Sequence, residues 1–177
     1  MKRNPIVWTV AAGLLCLAAL FFNLIRPYRT EPMQQPVLFG PYSVLRTIDG
    51  DTIDLQISGE AVRVRLIGVD APESVHPESS KNTAEGAAAA AWLQEMLEDE
   101  NVYLEYDVGT EDDYGRTLAY VYLSDRETML NRLLLQEGMA QVMTVPPNVK
   151  YAVEFSQIQT AAREAGNGFW EPYTSKD

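Results

Sequence analysis

"EAVRVRLIGVDAPE", residues 60–73, decides how the chain folds. Val62, Val64 and Leu66 fall on one face of an extended strand and Arg63 and Arg65 on the other, the period-two alternation of a sheet with one covered face. Apolar residues continue to Val69; Asp70, Pro72 and Glu73 then break the run, with Pro72 removing a backbone donor. A strand over 60–69 with charge at both ends is predicted. On its N-terminal side, "YSVLRTI" (42–48) and "TIDLQI" (52–57) are also rich in β-branched residues, and "DGD" and "SGE" between the runs are turn signals. Three antiparallel strands follow.

On the C-terminal side, "SVHPESSKN" (74–82) is a polar loop and "TAEGAAAAAWLQEMLEDE" (83–100) a helix with Thr83 as its N-cap. "NVYLEYDV" (101–108) and "TLAYVYL" (117–123) are two further strands joined by the acidic loop "GTEDDYGR". Met129, Leu130, Leu133 and Leu134 have helical spacing in a segment ending at Gly138, and a last helix within 148–170 ends near Gly166. This order predicts an α+β domain over 42–172: a five-stranded β-barrel of the OB type with three α-helices, the first after the third strand. Residues 173–177 are a tail.

The first 41 residues differ in kind. After a basic N-terminus (1–5), Ile6 to Ile25 contains no charge, and 20 helical residues at about 1.5 Å each match a hydrocarbon core of about 30 Å. The segment is a transmembrane anchor or a signal sequence. A linker with four prolines (26–41) joins it to the domain. The single cysteine, Cys16, lies inside the apolar run, so no internal disulfide forms and the fold rests on its core.

Net charge is −11, and the four basic residues up to Arg29 leave 10 Lys and Arg against all 25 Asp and Glu, or −15, for 31–177. Such a surface repels polyanions at long range, so nucleic-acid chemistry requires local cations or a metal. Taken singly, the polar motifs have plain readings: "DGD" as a hairpin turn with solvated carboxylates, Arg63 and Arg65 as exposed strand residues, "DDYGR" as a turn. His76, in the polar loop, is a solvated surface residue. Jointly, carboxylates and arginines at strand ends suit phosphodiester cleavage, where positive groups offset charge growing on phosphorus and a carboxylate positions water.

With "DGDTIDL", "RLIGVDAPE", "DDYGRTLAYVY" and the closing "GNGFW", the chain resembles the staphylococcal nuclease family from about Val44 to Trp170. The resemblance implies the same OB barrel and a calcium-dependent nuclease that cleaves DNA and RNA as a monomer, leaving 3′-phosphates. It implies Asp51 and Asp70 as Ca2+ ligands with the backbone carbonyl of Ala71, and Glu73 as the base or water-orienting group. Arg65 and Arg116 would contact the scissile phosphate and Tyr114 a neighbouring one. The chain departs from the family at Asp113, where the pattern has lysine, and at Met143, Thr144 and Pro146, where tyrosines cover the bound nucleotide. Exported family members imply an extracellular domain, membrane-anchored or secreted. A non-catalytic OB module that binds nucleic acid or protein is the alternative from another class.

Overall fold

The computed structural model describes residues 35–171 except His76, Pro77, Ser79 and Lys81. The predicted membrane or signal segment and most of the linker lie outside them, and no helix among the described residues is long and apolar enough to cross a membrane.

Strands β1 (Phe39–Asp49), β2 (Thr52–Ile57) and β3 (Glu60–Leu66) form an antiparallel meander, as their patterning predicts. β3 then pairs in parallel with β6 (Thr117–Tyr122), β6 with β5 (Asn101–Glu105), and β5 with β1, closing a five-stranded barrel. β1 begins at Phe39, within the proline-rich stretch read as linker. Alternate residues fill the interior: Ile53, Leu55, Val64, Leu66, Val102 and Leu104 are all buried. At about 1.5–3 kcal/mol for each large apolar side chain withdrawn from water, this layer is the main stabilising term of a chain with no disulfide.

The predicted strand over 60–69 is broken. Gly68 adopts φ +80°, a conformation that favours glycine, and turns the chain out of the barrel into β4 (Gly68–Asp70), which pairs with β7 (Gln141–Met143). A Cβ on Gly68 would also meet the Phe155 ring at 2.7 Å. The backbone at the break stays satisfied: the Ile67 amide donates to the Ala119 carbonyl at 3.0 Å, and the buried Asn131 side chain donates to the Ile67 carbonyl at 2.8 Å.

Helix α1 (Ala84–Met96) follows β4, with the Gly86 amide donating to the Thr83 hydroxyl at 2.9 Å, the predicted cap. Its alanines allow close approach, and Ala89 packs so near the β1–β2 turn that a Cβ on Gly50 would meet its methyl at 2.9 Å. Helices α2 (Leu130–Gln136) and α3 (Ala152–Ala165) complete the three predicted, and α3 ends at Gly166 in the left-handed conformation. A short 3-10 turn, Gly168–Trp170, closes the described chain.

Candidate active site

Strand register brings the site together at one end of the barrel. Thr52 pairs with Arg65 across β2 and β3, which sets Asp51 beside the arginine, and the break at Gly68 folds Asp70 back toward it. One Arg65 nitrogen, Nη2, lies 3.0 Å from Asp51 Oδ2 and 3.1 Å from Asp70 Oδ1. The other, Nη1, donates to the carbonyls of Leu66 and Val69 at 2.8 and 2.7 Å. Arg65 thus holds the β3–β4 turn in shape while it clamps two carboxylates. It is 8% exposed, so this strand residue is not the solvated arginine that alternation alone allowed.

Asp51 is buried at 6% exposure. Its Oδ1 accepts the Thr52 hydroxyl and its Oδ2 the Ala71 amide, each at 2.9 Å. Burial nonetheless pushes its carboxyl above the usual range, against the pull of Arg65 and these hydrogen bonds. The Asp70 side chain is 43% exposed. Two carboxylates share one guanidinium, which leaves a negative surplus at this end.

Glu73 is three residues beyond Asp70, half-buried, with its Oε1 accepting the Val75 amide at 3.3 Å. Its backbone is fixed by α1: the Thr83 amide donates to the Glu73 carbonyl at 2.9 Å, and a Cβ on Gly86 would come within 2.3 Å of that oxygen. The alanine- and glycine-rich start of α1 therefore sets where Glu73 stands. Asp49, whose Oδ1 accepts the Ser74 hydroxyl at 2.5 Å, ties the same segment to the end of β1.

A groove of about 390 Å³ opens beside these residues. Arg65, Arg116, Tyr114 and Asp113 line one part and Met143 and Pro146 another. Asp51, Asp70 and Glu73 are not among its lining residues. Arg116 Nε donates to Asp112 Oδ2 at 2.7 Å, and the Arg116 amide to Asp112 Oδ1 at 3.0 Å. Although partial burial opposes it, these bonds and that from the Tyr114 amide hold the Asp112 carboxyl below the usual range. Tyr114 is 85% exposed, with the Arg116 guanidinium 5.4 Å from its ring centre. The sequence reading missed Asp112; the four-residue spacing from Asp112 to Arg116 was its only signal.

Asp51, Arg65, Asp70 and Ala71 therefore form one bonded cluster, Arg65, Arg116 and Tyr114 share one groove, and Glu73 stands on the connecting segment. Among the described residues no group of three or more His, Cys, Asp or Glu is arranged to hold a metal, so a cation here would use the two aspartates plus backbone and water oxygens.

The fold and site define an OB-class barrel whose open end pairs carboxylates with arginines. Residues 63–172 match the family model described as staphylococcal nuclease homologue. The chain is 45% identical over 167 residues to a thermonuclease of Staphylococcus intermedius, covering 92% of this chain and 98% of that one. It is 35% identical to a thermonuclease of Staphylococcus hyicus, covering 91% and 93%. It is also 36% identical to the endonuclease YncB of Bacillus subtilis (strain 168), covering 71% of this chain and 59% of the relative. The chain belongs to the staphylococcal nuclease family.

Proposed function

We propose that this nuclease, a hydrolase of nucleic acids, cuts the phosphodiester bonds of both DNA and RNA, uses calcium and leaves 3′-phosphates. One observation supports the chemistry most directly: Asp51 and Asp70 meet at a single nitrogen of Arg65, and Arg65 lines a groove that also presents Arg116 and Tyr114. The thermonuclease and endonuclease relatives support the activity.

The donors fit a hard cation, since all are oxygens and the charge of two carboxylates is only partly offset by one Arg65. Asp51, Asp70 and the Ala71 carbonyl would hold calcium, which when bound supplies positive charge against the phosphate oxygens. Arg65 and Arg116 bind the scissile phosphate and counter the charge that grows on it. Glu73 orients the attacking water and takes its proton; the oxygen attacks phosphorus in line and the 5′-oxygen leaves, stabilised by Arg116. Tyr114, exposed at the rim, contacts a neighbouring phosphate.

The domain acts as a monomer outside the cell, tethered through Ile6–Ile25 or released by cleavage after it; a reporter fused after Asp177 that works only in the cytoplasm would overturn this placement. For the activity, release of acid-soluble nucleotides from single-stranded DNA is measured with calcium and with a chelator, for the wild type and Glu73→Ser. Calcium-dependent release that falls by orders of magnitude in the variant is expected. A folded wild type inactive under every metal would leave the binding-module reading in its place.

A further inference from the structure

The catalytic reading leaves two arginines of the barrel wall without a role. Arg46 of β1 and Arg63 of β3 flank Asp54 of β2, and the register pairs Arg46 with Asp54 and Asp54 with Arg63. Arg46 Nε donates to Asp54 Oδ2 at 2.8 Å; Arg63 donates through Nε to Oδ1 at 2.9 Å and through Nη2 to Oδ2 at 3.2 Å. One carboxylate thus faces two guanidinium groups, a surplus of positive charge. The aspartate side chain is buried, but those of Arg46 and Arg63 are 66% and 45% exposed, so the surplus meets solvent.

This row is continuous with the site. Arg63 lies two positions before Arg65 on β3, on the same side of the strand and about 7 Å away. A groove of about 480 Å³ is lined by Arg46, Arg63, Tyr114 and Arg116, so the pair shares one concavity with two residues assigned to the substrate. The other described cations are engaged elsewhere: Arg126 over Tyr103, Arg132 on Glu154, Lys150 on Glu105 and Arg163 over Trp170. Residues 31–177, of net charge −15, therefore gather Arg46, Arg63, Arg65 and Arg116 along two grooves that meet at Tyr114 and Arg116.

We propose that Arg46 and Arg63 form a second phosphate-binding subsite, which holds a backbone phosphate of a single-stranded polynucleotide away from the bond being cut. The assignment of the occupant rests on the nuclease reading. The consequence is selection by length: a strand that reaches from Arg65 and Arg116 to the Arg46–Arg63 row binds better than a dinucleotide with one phosphodiester. A row of arginines tracking a backbone gives affinity that depends on salt and little on sequence.

The test uses the full chain in chelator, where calcium-dependent cutting is suppressed, and fluorescence anisotropy with a labelled 20-residue oligothymidylate and a labelled dinucleotide. Arg46→Gln and Arg63→Gln each leave the other arginine on Asp54, and thermal melts establish that the variants are folded. Each should raise Kd for the 20-mer about 3- to 10-fold relative to the dinucleotide, and flatten the slope of log K against log salt by about 0.7. Asp54→Asn removes the competing carboxylate and should tighten 20-mer binding, the opposite of what loss of a merely structural ion pair produces. Folded variants with wild-type Kd and slope would overturn the subsite, as would equal losses for both ligands. So would loss of binding to phosphatidylglycerol vesicles with the oligonucleotide slope unchanged, which would reassign the row to lipid. Cleavage of DNA by the wild type, followed in parallel with calcium, separates the two readings: cutting with an unchanged slope removes only the subsite.

Discussion

Two buried carboxylates in this barrel have opposite surroundings. Glu105, at the end of β5, accepts the hydroxyls of Tyr122 and Tyr151 at 2.9 Å each on Oε2 and pairs with Lys150 through Oε1. One negative charge meets one positive charge, Tyr151 stacks on Phe155 and meets Tyr120 edge-on, and burial pushes the hydroxyls of Tyr122 and Tyr151 up. Asp51 is as well hydrogen-bonded but shares the Arg65 guanidinium with a second, half-exposed carboxylate. The Glu105 group closes its own charge balance and holds β5, β6 and α3 together; the Asp51 group leaves a negative surplus around an arginine that lines a groove. That surplus costs stability and, under the proposed function, is what a cation would offset, the trade expected where function is built into a fold.

The sharpest way to separate the two is to remove one group from each. Arg116→Gln should lower kcat by about 100- to 1,000-fold, because a group facing developing charge is lost, with the melting temperature nearly unchanged. Glu105→Ala should do the reverse. It strands Lys150 and two tyrosine hydroxyls, and chemical denaturation should show a loss of about 3–5 kcal/mol while cleavage by the molecules that remain folded persists. If the Arg116 variant unfolded and the Glu105 variant lost turnover at full stability, the division of labour drawn here would be reversed.

Gly86→Ala probes the link between helix packing and the site. Its methyl would meet the Glu73 carbonyl at 2.3 Å, so the 72–73 segment must move, and a displacement of this kind should cost about tenfold or more in kcat with a modest fall in stability. Steady-state kinetics beside a thermal melt checks both. Asp113→Lys should lower KM for single-stranded DNA about 3- to 10-fold, because a negative charge lining the groove becomes positive; an unchanged KM would place the substrate elsewhere.

The smallest effect is on acid stability. Hydrogen bonds from Arg63, and then from Arg46, hold the Asp54 carboxyl below its ordinary value of 3.8 despite the opposing effect of burial. Its contribution is therefore present above that pH and is lost as pH falls through the folded-state value. With both arginines well exposed the contribution is about 1 kcal/mol or less, so melts of Asp54→Asn and wild type should differ at neutral pH and converge in acid.

The barrel was legible because β-branched alternation, the turns at 49–51 and 58–60, the Thr83 cap and the Gly166 stop all act over a few residues. The break at Gly68 was not, since "RLIGV" reads as one apolar run and only pairing with β7 and packing against Phe155 call for a left-handed glycine there. β7 itself has three residues, too few for alternation to show. At the site, the motifs marked Asp51, Asp70 and Glu73 as candidates, and their roles came from family resemblance. That one arginine nitrogen joins the two aspartates depends on register and on the bend at Gly68, far along the chain from Asp51. The Arg46–Asp54–Arg63 row depends on register alone, and no spacing along the chain announces it.

The most direct test of the negative surplus is the melting temperature as calcium is added, for the wild type and Asp70→Asn. A cation held by Asp51 and Asp70 stabilises the folded chain by about 2.7 kcal/mol at 100 times its Kd, or about 5–10 °C for a domain of this size. If the two aspartates hold the cation, the wild type shows that rise and the variant loses it. An equal rise in both, or none in a wild type that cuts DNA, would contradict that placement.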